Sequence, residues 1–164
     1  AKLPHRIDFG TSGIMVVGLN AESVQHLNKQ FQARTIKKRY VAMLEGWVAD
    51  DQGRITAAIA KDKNHFPRVI ICHATGKVAI SEYTVLQRLD HPRRSFVQFT
   101  PHTGRTHQLR IHSQTMGHPI LGCDLYNSDR SEGMAERLLL HASDLYFEHP
   151  TSGEQLHGQC PCPF

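Results

Sequence analysis

Two short stretches of the chain hold side chains able to do chemistry. The first is His5-Arg6-Ile7-Asp8-Phe9-Gly10-Thr11-Ser12-Gly13, where a base and an acid sit two apart before a run of small hydroxyl and glycine residues. A carboxylate on such a loop can serve as a nucleophile, a base or a metal ligand, or it can simply cap the turn. The second is Thr103-Gly104-Arg105-Thr106-His107-Gln108-Leu109-Arg110. Here a glycine turn feeds a helix, and helix-start amides with a guanidinium make a natural site for a phosphate or a carboxylate. From residue types alone, the chain carries a candidate anion site and a candidate reactive carboxylate.

The elements that must position these stretches follow from hydrophobic period and punctuation. Ile14 to Leu19 reads as a buried strand. Asn20 can cap a helix over Ala21 to Arg34, with Glu22 in its first turn and Val24, Leu27 and Phe31 at helical spacing. Arg39 to Trp47 reads as a long strand, and Gln52 to His73 as hairpin material with polar turns. Ser81 to Leu89 and Ser95 to Thr100 alternate as an antiparallel pair, joined through Asp90-His91-Pro92-Arg93. Thr106 to Met116 can form a helix, stopped by Gly117 and Pro119. A short helix near Glu132 to Arg137 and a strand pair, Leu139 to Glu148 with Gln155 to Gln159, complete the chain. Many strands with few helices, and hairpins rather than βα alternation, predict an α+β fold: a mainly antiparallel mixed sheet with a few flanking helices.

The chain's 164 residues fit one domain, 1–164, able to bury a sizeable core. No window approaches a membrane-spanning run, and the first ten residues are polar, without a hydrophobic signal segment. Lys and Arg number 19 against 15 Asp and Glu, a mild excess that permits a polyanionic partner without demanding one. Short basic runs such as Lys37-Lys38-Arg39 are, taken singly, ordinary solvated surface. The four cysteines are irregularly spaced, so the default is reduced thiols and a cytoplasmic location. His157, Cys160 and Cys162 crowd together but lack the fourth ligand of a structural zinc site.

Five motifs in order then resemble the RluA-type pseudouridine synthases. His5 to Asp8 with Thr11-Ser12-Gly13 resembles that family's HRLD-x-x-TSG signature. Lys38 to Gly46 resembles its K-x-Y-x-A strand, Thr103 to Arg110 its TGRTHQIR, Gly117 to Gly122 its GHPILG, and Leu138 to Ala142 its LLLHA. Phe66-Pro67-Arg68 through Thr75-Gly76-Lys77 further resembles the branch acting on ribosomal and transfer RNA. The resemblance implies isomerisation of uridine to pseudouridine in RNA stem-loops, with no cofactor, no metal and no membrane. It implies a nucleophilic Asp8 held charged by Arg105, and a Tyr40 that packs on the base and takes the C5 proton. It implies that Arg6 fills the stack vacated by a flipped uridine and that Leu109 walls the base. Lys38 and Arg110 are then phosphate contacts or structural ion pairs.

Three departures from the family pattern carry their own expectations. Ile7 replaces the usual Leu, a near-isosteric change expected to be tolerated. Cys123 follows Gly122 where the family has Asp, with Asp124 one residue later. Only four residues precede His5, whereas the family carries further strands and a K-P-x-G-type segment there. A catalytic domain lacking its N-terminal strands is expected to be weak or inactive, so the alternative is an RNA-binding module that kept the fold. A metal-dependent hydrolase is disfavoured, since His107 and His112 lie five apart rather than at the four-residue spacing of paired helix ligands.

Overall fold

The computed structural model describes all residues, 1–164. Helix α1, Ala21–Ala33, begins where its cap predicts: Asn20 Oδ1 accepts the Ser23 amide at 2.8 Å. It ends on Arg34 in the left-handed region, whose amide reaches back to the carbonyls of Gln30 and Phe31. The strands are β1 (Ser12–Gly13), β2 (Lys37–Glu45), β3 (Gln52–Thr56), β4 (Ile59–Lys61), β5 (Val69–Ile71), β6 (Ile80–Leu89), β7 (Arg94–Pro101), β8 (Leu140–Glu148) and β9 (Gln155–Gln159). Helix α2 spans Gln108–Thr115, and a single 3-10 turn covers Glu132–Met134.

Seven strands form one sheet in the order β1-β8-β2-β7-β6-β3, with β9 also on β8; β4 and β5 make a separate hairpin. All pairings in the large sheet are antiparallel except β1 with β8. The expected α+β class is the one observed. Strand β7 shows the reason: its residues alternate between partial and full burial, so Ser95, Val97, Phe99 and Pro101 face the core. Ala42 and Leu44 of β2, Leu140 of β8 and Leu109 and Ile111 of α2 join Val97 and Phe99 in one buried apolar cluster.

Four local expectations need correction. Ile14 to Leu19 is not a buried strand: Ile14 donates to the Ala142 carbonyl, but Val17 and Leu19 are exposed, and beyond Ile14 the run makes only one isolated bridge, Lys2 with Gly18. Gln52 to His73 is two structures, because β3 pairs with β6 and only β4 and β5 form a hairpin. The helix expected from Thr106 starts at Gln108, since His107 adopts φ +54° and no helical turn can pass through it. The helix near Glu132 shrinks to its 3-10 turn.

Two of the five motifs, and the end of a third, act as scaffold. Ser12 and Gly13 lie beside His141 and Ala142 as β1 on β8, so TSG and LLLHA are strand partners. A Cβ at Gly13 would overlap the Ala142 backbone, so this pairing requires glycine. Ser12 Oγ accepts from Arg137 Nη2 at 2.7 Å, and its own hydrogen meets His141 Nδ1 at 2.8 Å. His141 Nε2 then donates to the Cys160 carbonyl at 2.8 Å, completing a satisfied buried chain. Gly117 to Gly122 runs along β2, through Glu45 N to Pro119 O and Leu121 N to Met43 O, both 2.9 Å.

Candidate active site

The His5-to-Gly13 loop, β2 and the turn before α2 converge on a cleft of about 810 Å³. Asp8 opens a β-turn in which the Thr11 amide donates to the Asp8 carbonyl at 3.0 Å. Gly10 stands third in that turn at φ +87°, a type II position that calls for glycine. The loop is held ahead of Asp8 as well. His5 stacks on Phe31 of α1 with centroids 4.7 Å apart, and its Nε2 accepts the Val16 amide at 3.0 Å. Burial, with help from the Lys38 charge, pushes the His5 imidazole down to about 4. His5 is therefore a neutral strut at pH 7.

Strand β2 contributes Lys38 and Tyr40 to the cleft wall, next to a register shift between Arg39 and Tyr40. Burial lowers the Lys38 ammonium from its usual range. Burial first, and the Asp8 charge second, push the Tyr40 phenol up to about 12, so Tyr40 is a neutral O–H at pH 7. Leu109 lines the cleft and belongs to the core at once. Arg6 lines it from an exposed position.

Gln108 holds the turn before α2. Its Oε1 accepts from Thr103 Oγ1 at 2.6 Å and from the Arg105 amide at 3.1 Å. Its Nε2 donates to the Ile80 carbonyl and to Ser81 Oγ, each at 2.9 Å. Ser81 passes its hydrogen to His112 Nδ1 at 2.9 Å, and His112 Nε2 meets the Ala57 carbonyl at 3.2 Å. All of Thr103, Ser81, Gln108 and His112 are buried, so the turn bearing Arg105 is tied by satisfied polar groups to β6 and the approach to β4.

The geometry gives the two arginines of this motif different places. Arg105 lines the cleft, but no ion pair joins it to Asp8; its Nε donates to the Val78 carbonyl at 3.0 Å. Arg110 lies outside the cleft lining and is buried. Its Nη2 meets Asp124 at 2.8 Å and its Nε meets Cys123 Sγ at 3.4 Å, so it serves as an ion pair within the fold. The shifted acid of the GHPILG loop thus has an address: Cys123 fills the buried position and Asp124 takes the charge pair.

Five cationic side chains line the cleft, Arg6, Arg34, Lys37, Lys38 and Arg105, and Asp8 is its only carboxylate. None of the five takes part in an ion pair, whereas Arg54, Arg88 and Arg110 outside it all do. The sequence assigned no site role to Arg34, Lys37, His5 or Gln108. Phe31 at helical spacing offered the nearest signal for His5, and for Arg34 its place at the helix end. At the far end of the chain, His157 is committed to Asp144 at 2.7 Å and does not gather with Cys160 and Cys162 into a metal-ligand group.

Comparison with known proteins agrees with this geometry. Residues 1–115 match the family model described as RNA pseudouridylate synthase. The chain is 41% identical over 164 residues to the dual-specificity RNA pseudouridine synthase RluA of Yersinia pestis, covering 100% of this chain and 79% of that protein. It is 39% identical over 160 residues to its namesake in Pasteurella multocida, covering 98% of this chain and 73% of that one. Among solved structures, human RNA pseudouridylate synthase domain containing 1 superposes with a TM-score of 0.89 at 31% identity, covering 99% of this chain and 69% of that chain. A loop carboxylate in a cationic cleft, on a fold and sequence of this kind, places the chain in the RNA pseudouridylate synthase family, whose members isomerise uridine in RNA.

Proposed function

We propose that residues 1–164 act as one catalytic domain in the cytoplasm, isomerising uridines in stem-loops of ribosomal and transfer RNA with Asp8 as the nucleophile. The observation that carries this reading is the charge pattern: Asp8 is the one carboxylate in a cleft lined by five cations without acidic partners. A module that only bound RNA would need the cations and would be weakened by the carboxylate. The relatives' name, dual-specificity, fits a chain acting on two classes of RNA.

In this reading the uridine leaves its stack, at a cost of a few kcal/mol, and enters the cleft over Leu109 and Tyr40. Asp8 attacks C1′, or removes a sugar proton to give a glycal, and the C1′–N1 bond breaks. The freed base rotates, C1′–C5 forms, C5 loses its proton and N1 gains one, so the product is an isomer and no electrons are exchanged. Tyr40 is a neutral phenol, so it takes the C5 proton only as it passes its own proton on. Arg105 is tethered through Nε to Val78, which leaves its two terminal nitrogens free for Asp8 or a phosphate. Lys38, Arg6, Arg34 and Lys37 bind the RNA backbone and the vacated stack.

The test is tritium release from ribosomal and transfer RNA transcripts labelled at uridine C5, comparing the chain with Asp8→Asn. Release is expected from the parent and to fall to background in Asp8→Asn, with RNA binding retained. Turnover in Asp8→Asn near that of the parent would overturn the assignment.

A further inference from the structure

Phe9 is the most exposed large hydrophobic side chain of the protein, and it directly follows Asp8. A lone apolar residue on a surface is ordinary and carries nothing by itself. Its place is what matters here. Phe9 is second in the turn that Asp8 opens, closed by the Thr11 amide on the Asp8 carbonyl at 3.0 Å and fixed by Gly10 at φ +87°. The backbone beneath the ring is therefore set. Adjacent Cα atoms lie about 3.8 Å apart. An RNA that brings a ribose to Asp8 comes to the turn that carries this exposed ring, which stands outside the cleft lining.

What such an RNA offers there is a base face. Moving one uridine out of a stack uncovers two faces, one on each neighbouring base. Arg6, exposed two residues before Asp8 in the chain and lining the cleft, has a planar guanidinium suited to one of them. The second face is left for another plane, and Phe9 is the exposed aromatic next to Asp8 in the chain, outside the cleft that Tyr40 lines. We propose that Phe9 stacks on the base next to the flipped uridine and holds the stem-loop open. This deepens the reading in which Asp8 is the reacting carboxylate, and rests on it. A phenyl ring has no hydrogen-bonding group, so the contact supplies affinity and an open loop without selecting which base lies beside the target.

Equilibrium binding tests this. The probe is an RNA stem-loop with one loop uridine flanked by 2-aminopurine, whose emission rises when it leaves its neighbouring bases. Binding is measured in an Asp8→Asn background, so that the RNA stays unmodified. Phe9→Ala is expected to bind about tenfold or more weakly, within what stacking on one base contributes, and to leave the 2-aminopurine dim. Phe9→Trp is expected to restore both affinity and emission. Affinity and emission unchanged in Phe9→Ala would overturn the proposal. Equal losses in Phe9→Ala and Phe9→Trp would overturn it too, because they would assign Phe9 to the turn rather than to the RNA. Tritium release by Asp8→Asn judges the underlying reading separately: turnover there, alongside binding that depends on Phe9, would sink the role of Asp8 and leave that of Phe9 standing.

Discussion

Arg105 and Arg110 belong to one eight-residue motif, and the fold gives them opposite work. Arg105 precedes α2, on a turn held by the Gln108 side chain, and lines the cleft without an acidic partner. Arg110 lies in the first turn of α2, buried beside Tyr126 and paired with Asp124. What separates them is the left-handed residue between, His107, which delays the helix. Its Nδ1 lies 2.8 Å from the Tyr126 hydroxyl, which already accepts the Val69 amide, so the hydroxyl hydrogen goes to His107. Two identical side chains five residues apart thus become an open cation and an internal strut. An unpaired guanidinium at a cleft is available to a ligand; a paired and buried one is committed to the fold.

The comparison is broken most directly at Arg105. Arg105→Met is expected to slow single-turnover isomerisation roughly a hundredfold by loosening the geometry around Asp8, with the thermal midpoint almost unchanged. A fall in RNA affinity with an unchanged single-turnover rate would make Arg105 a phosphate ligand instead. Asp124→Ala should do the reverse. It strips a charged hydrogen bond from buried Arg110 and is expected to cost about 1–3 kcal/mol of stability by urea unfolding, while the rate per folded molecule holds.

The third prediction concerns pH. Unfolded His5 takes a proton below about 6.5, whereas the folded residue, buried and beside Lys38, resists until about 4. Between those values the unfolded chain binds more protons, so stability falls as pH falls from 6.5 towards 4. Burial of His112 acts with the same sign. Urea midpoints at pH 7 and pH 5 should therefore diverge, and His5→Asn should narrow the gap. An identical gap in His5→Asn would mean that the strut carries no pH dependence. The smallest effect is expected from Arg34→Ala, at the cleft's edge. It should leave turnover at saturating RNA unchanged and lower the salt dependence of RNA affinity by about one counterion.

The hairpin of β6 and β7 was legible because its alternation is local and its turn carries Pro92. Helix α1 was legible because Asn20 and Glu22 announce its start. The run Ile14 to Leu19 misled, since an apolar string states that a strand is possible and not whether a partner lies alongside. The start of α2 misled for a related reason: Thr106 and His107 have no local bar to helix, and the bar is made by Tyr126 and Gln108 from other parts of the turn and chain. The Asp8–Arg105 partnership was expected from the resemblance, and the Val78 carbonyl that Arg105 Nε meets could not be foreseen from spacing.

By itself the sequence determined the chemical inventory: a loop carboxylate after a base, a tyrosine and lysine alternating on a strand, a glycine turn with an arginine, and the elements nearest to each. These depend on residue type and on neighbours a few positions away, and period and capping record such information directly. Tertiary structure alone decided that Asp8, Tyr40, Lys38 and Arg105 share one cleft, that Ser12 and Gly13 align with His141 and Ala142, and which arginine stays unpaired. Those outcomes depend on strand register and on which polar groups are buried together. Both are set by contacts between residues more than sixty positions apart in the chain, such as Tyr40 with Ala142 and Ser12 with His141, whose pairing no local pattern encodes.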